Sequence, residues 1–245
     1  MKLKSLLKQF LPKRPARHVT AIIVAGGSGS RMGSSTTKQM MELDGIPVVV
    51  RTILAFEKAE CIKDIVIVAK AEEKAVYKEF INKYSLKKIR RVVVGGDTRQ
   101  QSVLNGFKVI DDNCDFVAIH DGARCLVTPE NIEKVLWEAR CHEAASAAAP
   151  AKDTVKITNS EGFVVSTPNR ARVWMAQTPQ IFRADLYRAA AFYALRLGYE
   201  ATDDNALVEF LGSKVKMVDC GYRNIKITTP EDIHIAQTLL KEMKI

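Results

Sequence analysis

From Val19 onward the chain alternates between two hydrophobic rhythms. The stretches 19–25 (VTAIIVA), 64–70 (DIVIVAK), 89–96 (IRRVVVGG) and 115–121 (DFVAIHD) are short apolar runs rich in β-branched residues. Such runs predict strands buried on both faces. Between them, 47–60 (PVVVRTILAFEKAE), 71–84, 99–110 (RQQSVLNGFKVI) and 128–143 (TPENIEKVLWEARCHE) read as helices. Pro47 is expected in the first turn of its helix. Thr128 is expected to cap the helix that Pro129 opens. The run 144–150 (AASAAAP) predicts a strand packed so tightly that only small side chains fit. Repeated β-α-β units imply an α/β fold, a Rossmann-like and mainly parallel sheet flanked by helices.

The rhythm breaks at 151–180, where short β-like pieces suggest an arm leaving the sheet. Helical patterns return at 184–197 and 203–211, with Thr202 and Asp203 as a cap pair. A strand at 214–220 and the segment 224–243 close the domain, and Thr229, Pro230 and Asp232 resemble a capping box.

Composition narrows the class. The chain has 245 residues, 47% of them apolar, enough for one large domain over 19–245. No apolar stretch approaches the roughly 20 residues needed to span a bilayer. The net charge of +9 comes largely from one arm: residues 1–18 hold Lys2, Lys4, Lys8, Lys13, Arg14 and Arg17 and no acid. Removing those six from the 37 Lys and Arg leaves 31 bases against 28 acids, so no nucleic-acid partner is expected. The arm lacks the apolar core and cleavage site of a signal peptide. It reads as a loose terminal turn and linker, or as a basic amphipathic helix (Leu3, Leu6, Leu7, Phe10, Leu11) able to touch an anionic membrane. Five cysteines without C-x-x-C spacing suggest reduced thiols and a cytoplasmic location. The four scattered histidines suggest neither a zinc site nor a triad, and His120 is expected to pack beneath the site.

In open parallel sheets ligands bind beyond the carboxyl ends of the strands. That directs attention to 26–38, 95–99 and 121–124. The first of these loops follows the strand in IIVAGGSGSRMG, residues 22–33. Gly27 and Gly29 fit the first two positions of G-x-G-x-x-G, but Met32 stands at the third, and no G-K-[ST] follows. What remains is a glycine loop holding Arg31, with Lys38 seven positions on. Glycines let backbone amides approach a triphosphate. Two cations around one phosphate suit a reaction in which charge accumulates at phosphorus. In 95–97 (GGD), the turn is expected to carry an Asp cap for the next helix.

AGGSGSRMG…KQ resembles the opening of the sugar nucleotidyltransferases. GGDTRQQSVLNG, HDGAR, AKDTVK, NRARVWMAQTPQIF, TDDNALVE and NIKITTPEDI then follow in order. Together they are similar to the 2-C-methyl-D-erythritol 4-phosphate cytidylyltransferase family over about residues 19 to 243. The resemblance implies that CTP and methylerythritol phosphate, with Mg²⁺, give the CDP-linked alcohol and pyrophosphate in non-mevalonate isoprenoid synthesis. It implies that Ala25, Gly26, Gly27 and Gly29 line the CTP site. Gly96, Asp97, Arg99 and Ser102 are implied around cytosine and ribose. Arg31 and Lys38 are implied to stabilise the pentacoordinate phosphorus. Arg124 and Asp121 would serve the substrate phosphate, Asp121 either near Mg²⁺ or orienting Arg124. Thr154, Arg170 and Lys226 would hold the attacking substrate. Arg170 is implied to reach a neighbouring subunit's site on the β-arm, making a homodimer.

Four positions depart from the family's pattern. Thr37 stands where proline usually precedes the lysine, and Met40 where an aromatic follows the glutamine. Cys125 replaces a proline and Asn169 a frequent aspartate. Two rivals are a ribitol 5-phosphate cytidylyltransferase, alike through GSRMG and NIKITTP, and a non-catalytic nucleotide-binding or membrane-docking protein.

Overall fold

The computed structural model describes residues 16–27 and 37–243. Arg31, Gly29 and the amphipathic pattern of residues 1–15 lie outside them. The centre is a seven-stranded sheet. In chain order its strands are β1 (Val19–Val24), β4 (Asp64–Ala69), β5 (Ile89–Val94), β6 (Phe116–Asp121), β7 (Ala144–Pro150), β10 (Trp174–Arg183) and β11 (Lys216–Asp219). Their order across the sheet is β11-β7-β10-β6-β1-β4-β5. Every pairing is parallel except those of β10, which runs antiparallel to β6 and β7. Two short pairs stand apart, β2 (Glu42–Leu43) with β3 (Ile46–Pro47), and β8 (Ile157–Thr158) with β9 (Val164–Ser166).

The continuous apolar runs of β1, β4 and β6 are explained by cover on both faces, whereas β5, at the sheet's edge, is only partly buried. Alternation sends Ile23, Ile65, Ile67 and Phe116 into one core, beside Ile53 and Phe56 of α1 (Val48–Lys58) and Val135 of α4 (Pro129–His142). Ile22, Val66, Val68, Val117 and Ile119 point to the other core. There they meet Val103 and Phe107 of α3 (Arg99–Phe107), Tyr187 of α5 (Ala184–Leu197) and Leu207 of α6 (Asp204–Phe210). Burying each large side chain contributes about 1.5–3 kcal/mol. A third cluster joins Leu43, Val48 and Ala123 to Ala236 and Leu240 of α7 (Pro230–Met243). The remaining helix, α2 (Lys74–Lys83), follows a 3₁₀ turn at Ala71–Glu73, so the helix expected from residue 71 starts as a tighter coil. Strand β7 lies inside the sheet, and Ala144, Ala145, Ala147, Ala148 and Ala149 are fully buried, as its small side chains require.

Two local expectations are corrected. Pro47 does not open α1; it ends β3 with ψ 141° and stands just outside the helix. The helix's leading N–H groups need outside acceptors. They find them in the incoming chain: Val48 N donates to Met41 O at 2.8 Å and Val49 N to Gln39 O at 3.0 Å. The excursion is also shorter than 151–180. At Trp174 the chain rejoins the sheet as β10, because residues 177–182 are buried between β6 and β7. The register of β10 against β7 shifts between Ala176 and Gln180. Caps were legible where a side chain reaches one turn ahead or one turn back. Thr128 accepts from Asn131 N, Asp203 accepts from Ala206 N, and Asp232 accepts from Thr229 N. No helix among the described residues is long and apolar enough to cross a membrane.

Candidate active site

Strands β1, β5 and β6 all run out at one edge of the sheet, into Gly26–Gly27, Gly95–Gly96 and Asp121–Gly122. These ends surround a cleft of about 370 Å³. One wall holds Gly26, Gly27, Lys38 and Gln39; the other holds Gly96, Asp97, Arg99 and Ser102; Asp121 and Lys226 also line it.

The second wall is shaped by the start of α3. Gly96 N donates to Ser102 Oγ at 3.0 Å, which ties the turn back onto the helix. A Cβ on Gly96 would come within 2.1 Å of Gln101 Cγ, so only glycine fits there. The cap of α3 is Thr98, whose hydroxyl accepts from Gln101 N at 3.1 Å. The expected Asp97 cap is therefore corrected: a hydroxyl one residue later takes that place, and Asp97 stays exposed at the cleft. Gly106 governs how close α3 lies to the sheet, since a Cβ there would sit 2.8 Å from Ile22 Cγ2 and Val68 Cγ2.

Asp121 gathers the cations. Lys226 Nζ lies 2.8 Å from Oδ2, Arg99 Nε lies 3.2 Å from Oδ1, and Arg124 Nε stands 3.9 Å from Oδ2. Burial pushes the carboxyl up, but Arg99, Lys226 and Arg124 outweigh it and hold the group well below the usual carboxylate range. Arg99 is gripped on its far side by Asp204 Oδ2 at 2.7 Å, while Tyr187 OH donates to Asp204 Oδ1 at 2.7 Å. Lys226 sits in a segment without regular structure, pinned where Ile227 N donates to Ala123 O at 2.9 Å. Asn224 fastens the same segment, its side-chain amide donating to Thr178 O at 2.8 Å and its backbone carbonyl accepting from Arg124 Nη1 at 2.8 Å.

His120 lies beneath this set, fully buried as expected. Nε2 is 3.2 Å from Arg124 O, a pure acceptor, so Nε2 carries the proton. Nδ1 then accepts from Thr178 Oγ1 at 3.0 Å, and that oxygen accepts from Asp121 N at 3.1 Å. Burial pushes the imidazole pKa down to about 3. His120 is a neutral strut between the Asp121 and Arg124 backbones.

The structure brings together Gly26, Gly27, Lys38, Gly96, Asp97, Arg99, Ser102, Asp121 and Lys226. Ala25 lies just behind the cleft, fully buried, with its N–H donating to Val68 O. Arg124 stands behind Asp121 instead of lining the cleft. Thr154 and Arg170 lie on the exposed excursion, where Arg170 Nη1 donates to Lys152 O at 2.8 Å; neither lines this chain's cleft. Sequence reading missed Asp204, Thr178 and Asn224. The doubled acid of TDDN was the one available signal, and it does not say which carboxylate caps the helix and which holds Arg99.

The profile of the 2-C-methyl-D-erythritol 4-phosphate cytidylyltransferase family matches residues 19–242. A relative of that name from Desulforamulus reducens is 46% identical over 91% of this chain and 96% of its own length. Another, from Caldanaerobacter subterraneus subsp. tengcongensis, is 43% identical over 92% of this chain and all of its own. The solved structure of 4-diphosphocytidyl-2C-methyl-D-erythritol synthase from Anaerococcus prevotii is 35% identical, covers 93% of this chain and all of its own, and superposes with a TM-score of 0.83. Fold and sequence agree: this chain belongs to the 2-C-methyl-D-erythritol 4-phosphate cytidylyltransferase family.

Proposed function

We propose that this chain joins CTP to 2-C-methyl-D-erythritol 4-phosphate, releasing pyrophosphate, and that the cleft beside Asp121 is where it does so. The observation carrying this reading is the convergence of Lys226 and Arg99 on one buried carboxylate beside two glycine turns. Glycine turns admit a triphosphate close to backbone amides. The cations offset the charge that builds up as a second phosphate attacks.

An oxygen of the methylerythritol phosphate forms a bond to the α-phosphorus of CTP, and the bond from that phosphorus to the bridging oxygen breaks. The attacking phosphate is already ionised, so no side chain has to remove a proton. A neutral His120 with both ring nitrogens engaged accords with that. What the protein supplies is position and charge. In this reading Gly26, Gly27, Gly96, Asp97 and Ser102 hold the nucleotide. Lys38 and Arg31 meet the α-phosphate, and Lys226 steadies the attacking phosphate. Asp121 holds Lys226 in place, and Arg99 and Arg124 fix Asp121 from its other sides.

Magnesium fits as a companion of the triphosphate. Among the described residues no three His, Cys, Asp or Glu side chains gather into a cage. Magnesium commonly keeps several waters and binds through one or two carboxylates plus substrate phosphates. Asp97 is the exposed cleft carboxylate that would reach it, Asp121 being already engaged by Lys226 and Arg99, and the bound ion would neutralise part of the triphosphate charge.

The excursion supports a homodimer. Ile157, Phe163, Val164 and Val165 are exposed on a two-stranded hairpin, which is marginal alone in water. A second copy covering it would bring Thr154 and Arg170 toward the neighbouring cleft. We place the reaction in the cytoplasm, in keeping with cysteines that lack disulfide or metal spacing.

Phosphorus NMR tests the reaction. Protein, CTP and Mg²⁺ with methylerythritol phosphate should give a diphosphate diester and pyrophosphate. Turnover with ribitol phosphate alone would move the enzyme to the other polyol. CTP binding with neither turnover would leave only a nucleotide-binding role.

A further inference from the structure

We infer that Glu73 is a positioning residue for Lys38, acting through the hydroxyl of Thr37. The inference rests on the reading of Lys38 as a charge that meets the α-phosphate.

Lys38 lies in a tight turn, closed by Met40 N donating to Thr37 O at 2.8 Å. On its C-terminal side the turn is held by α1, whose Val49 N donates to Gln39 O. On its N-terminal side Thr37 Oγ1 donates to Glu73 Oε1 at 2.9 Å. Lys38 therefore sits between two anchors on different elements. One is the start of α1; the other is the 3₁₀ turn that follows β4. That turn is itself fixed, with Glu73 N donating to Lys70 O at 3.2 Å.

Glu73 is only 7% exposed. Its other carboxyl oxygen is buried with no hydrogen-bond partner among the described residues, and the Tyr77 hydroxyl one helical turn on is in the same condition. A carboxyl buried with one oxygen unsatisfied is a cost to folding. The cost is intelligible if the other oxygen has a task. The bond to Thr37 restrains a position where sequence alone left the backbone without the fixed φ of proline. A side-chain hydrogen bond across 36 residues takes over that restraint.

The test is steady-state kinetics with melting temperatures on Thr37→Val, Thr37→Ser, Lys38→Ala and the double variant T37V/K38A. Small displacements of a catalytic group cost up to about a hundredfold, so Thr37→Val should lower kcat roughly tenfold with a smaller change in KM for CTP. Thr37→Ser, which keeps the hydroxyl, should stay within about twofold of the parent. In the Lys38→Ala background, adding Thr37→Val should change kcat by less than about twofold, because the displaced group is gone. Wild-type kcat in Thr37→Val overturns the inference. So does an equal loss with and without Lys38, which would mark a general structural effect. Should Lys38→Ala itself keep the full rate, the reading of Lys38 fails first, and that result is distinct from either of the others.

Discussion

Lys226 Nζ rests 2.8 Å from Asp121 Oδ2, on a carboxylate that also receives Arg99 from the other side. Asp121 is buried and Lys226 is partly exposed, so the pair lies at the boundary between core and cleft. The carboxylate therefore has two functions: it keeps a cation at the cleft, and it depends on that cation to remain charged in the interior.

Removing the carboxylate should damage both. Asp121→Asn leaves Arg99, Arg124 and Lys226 facing one another without their shared anion. Breaking a buried ion pair costs about 3–5 kcal/mol, and the exposure of Lys226 places the expected loss at or below the lower end. Urea unfolding should show the midpoint falling, and kcat should fall with it. An asparagine variant as stable as the parent would mean the three cations do not need the charge.

His120 makes a prediction about pH. Its pKa in the folded protein is pushed down to about 3, below the ordinary value near 6.5, so between these pH values the unfolded chain binds more protons. Its contribution is fully present above pH ~6.5 and is lost as pH falls toward the folded value, by about 1.4 kcal/mol per unit. Asp121 adds a loss with the same sign only below about pH 4, where an ordinary aspartate titrates. Unfolding free energies measured from pH 7 to pH 4.5 should slope accordingly in the parent, and the slope should shrink in His120→Asn. An unchanged slope would show that His120 is not buried neutral.

The proposed phosphate cations should report in kcat. Removing one preorganised charge contact typically costs about 10²–10³ in rate. Lys38→Ala, Arg31→Ala and Lys226→Ala should each fall in that range, with CTP affinity from calorimetry weakening less. Near-normal kcat in any one of them would remove that residue from the reacting centre.

Gly106 connects packing to binding. A methyl group there meets Ile22 and Val68 at 2.8 Å, so Gly106→Ala must push α3 off the sheet. Overpacking of this kind costs about 1–3 kcal/mol. Because α3 carries Arg99 and Ser102, KM for CTP should rise along with the loss of thermal stability. A stable variant with unchanged KM would mean that the neighbouring side chains give way and α3 stays in place.

The crossing arm is open to complementation. Mixed dimers of Arg170→Ala and Lys38→Ala chains should recover activity if Arg170 serves the neighbouring site, since one of the two sites then has both residues. Activity no higher than either parent variant would confine Arg170 to its own chain or remove it from the reaction.

What the sequence determined by itself was local or periodic. Strands at 19–24, 64–69 and 116–121 were legible because a strand covered on both faces needs a continuous apolar run. The cap at Thr128 was legible because its partner lies three residues ahead. The glycine turns and the cations after the strands were legible as chemistry, and ordered motifs carried the family. Tertiary structure alone decided who meets whom. Strand β10 entered the sheet antiparallel, where local alternation resembled an arm, because strand pairing is set by partners far along the chain. Arg99 and Asp204 meet across 105 residues, and Lys226 reaches Asp121 from a segment whose short alternation, NIKIT, forms no strand. Thr98 took the cap from Asp97 because capping depends on backbone angles as well as residue type. A side chain's identity states what it can bind; only the folded backbone brings the partner within 3 Å.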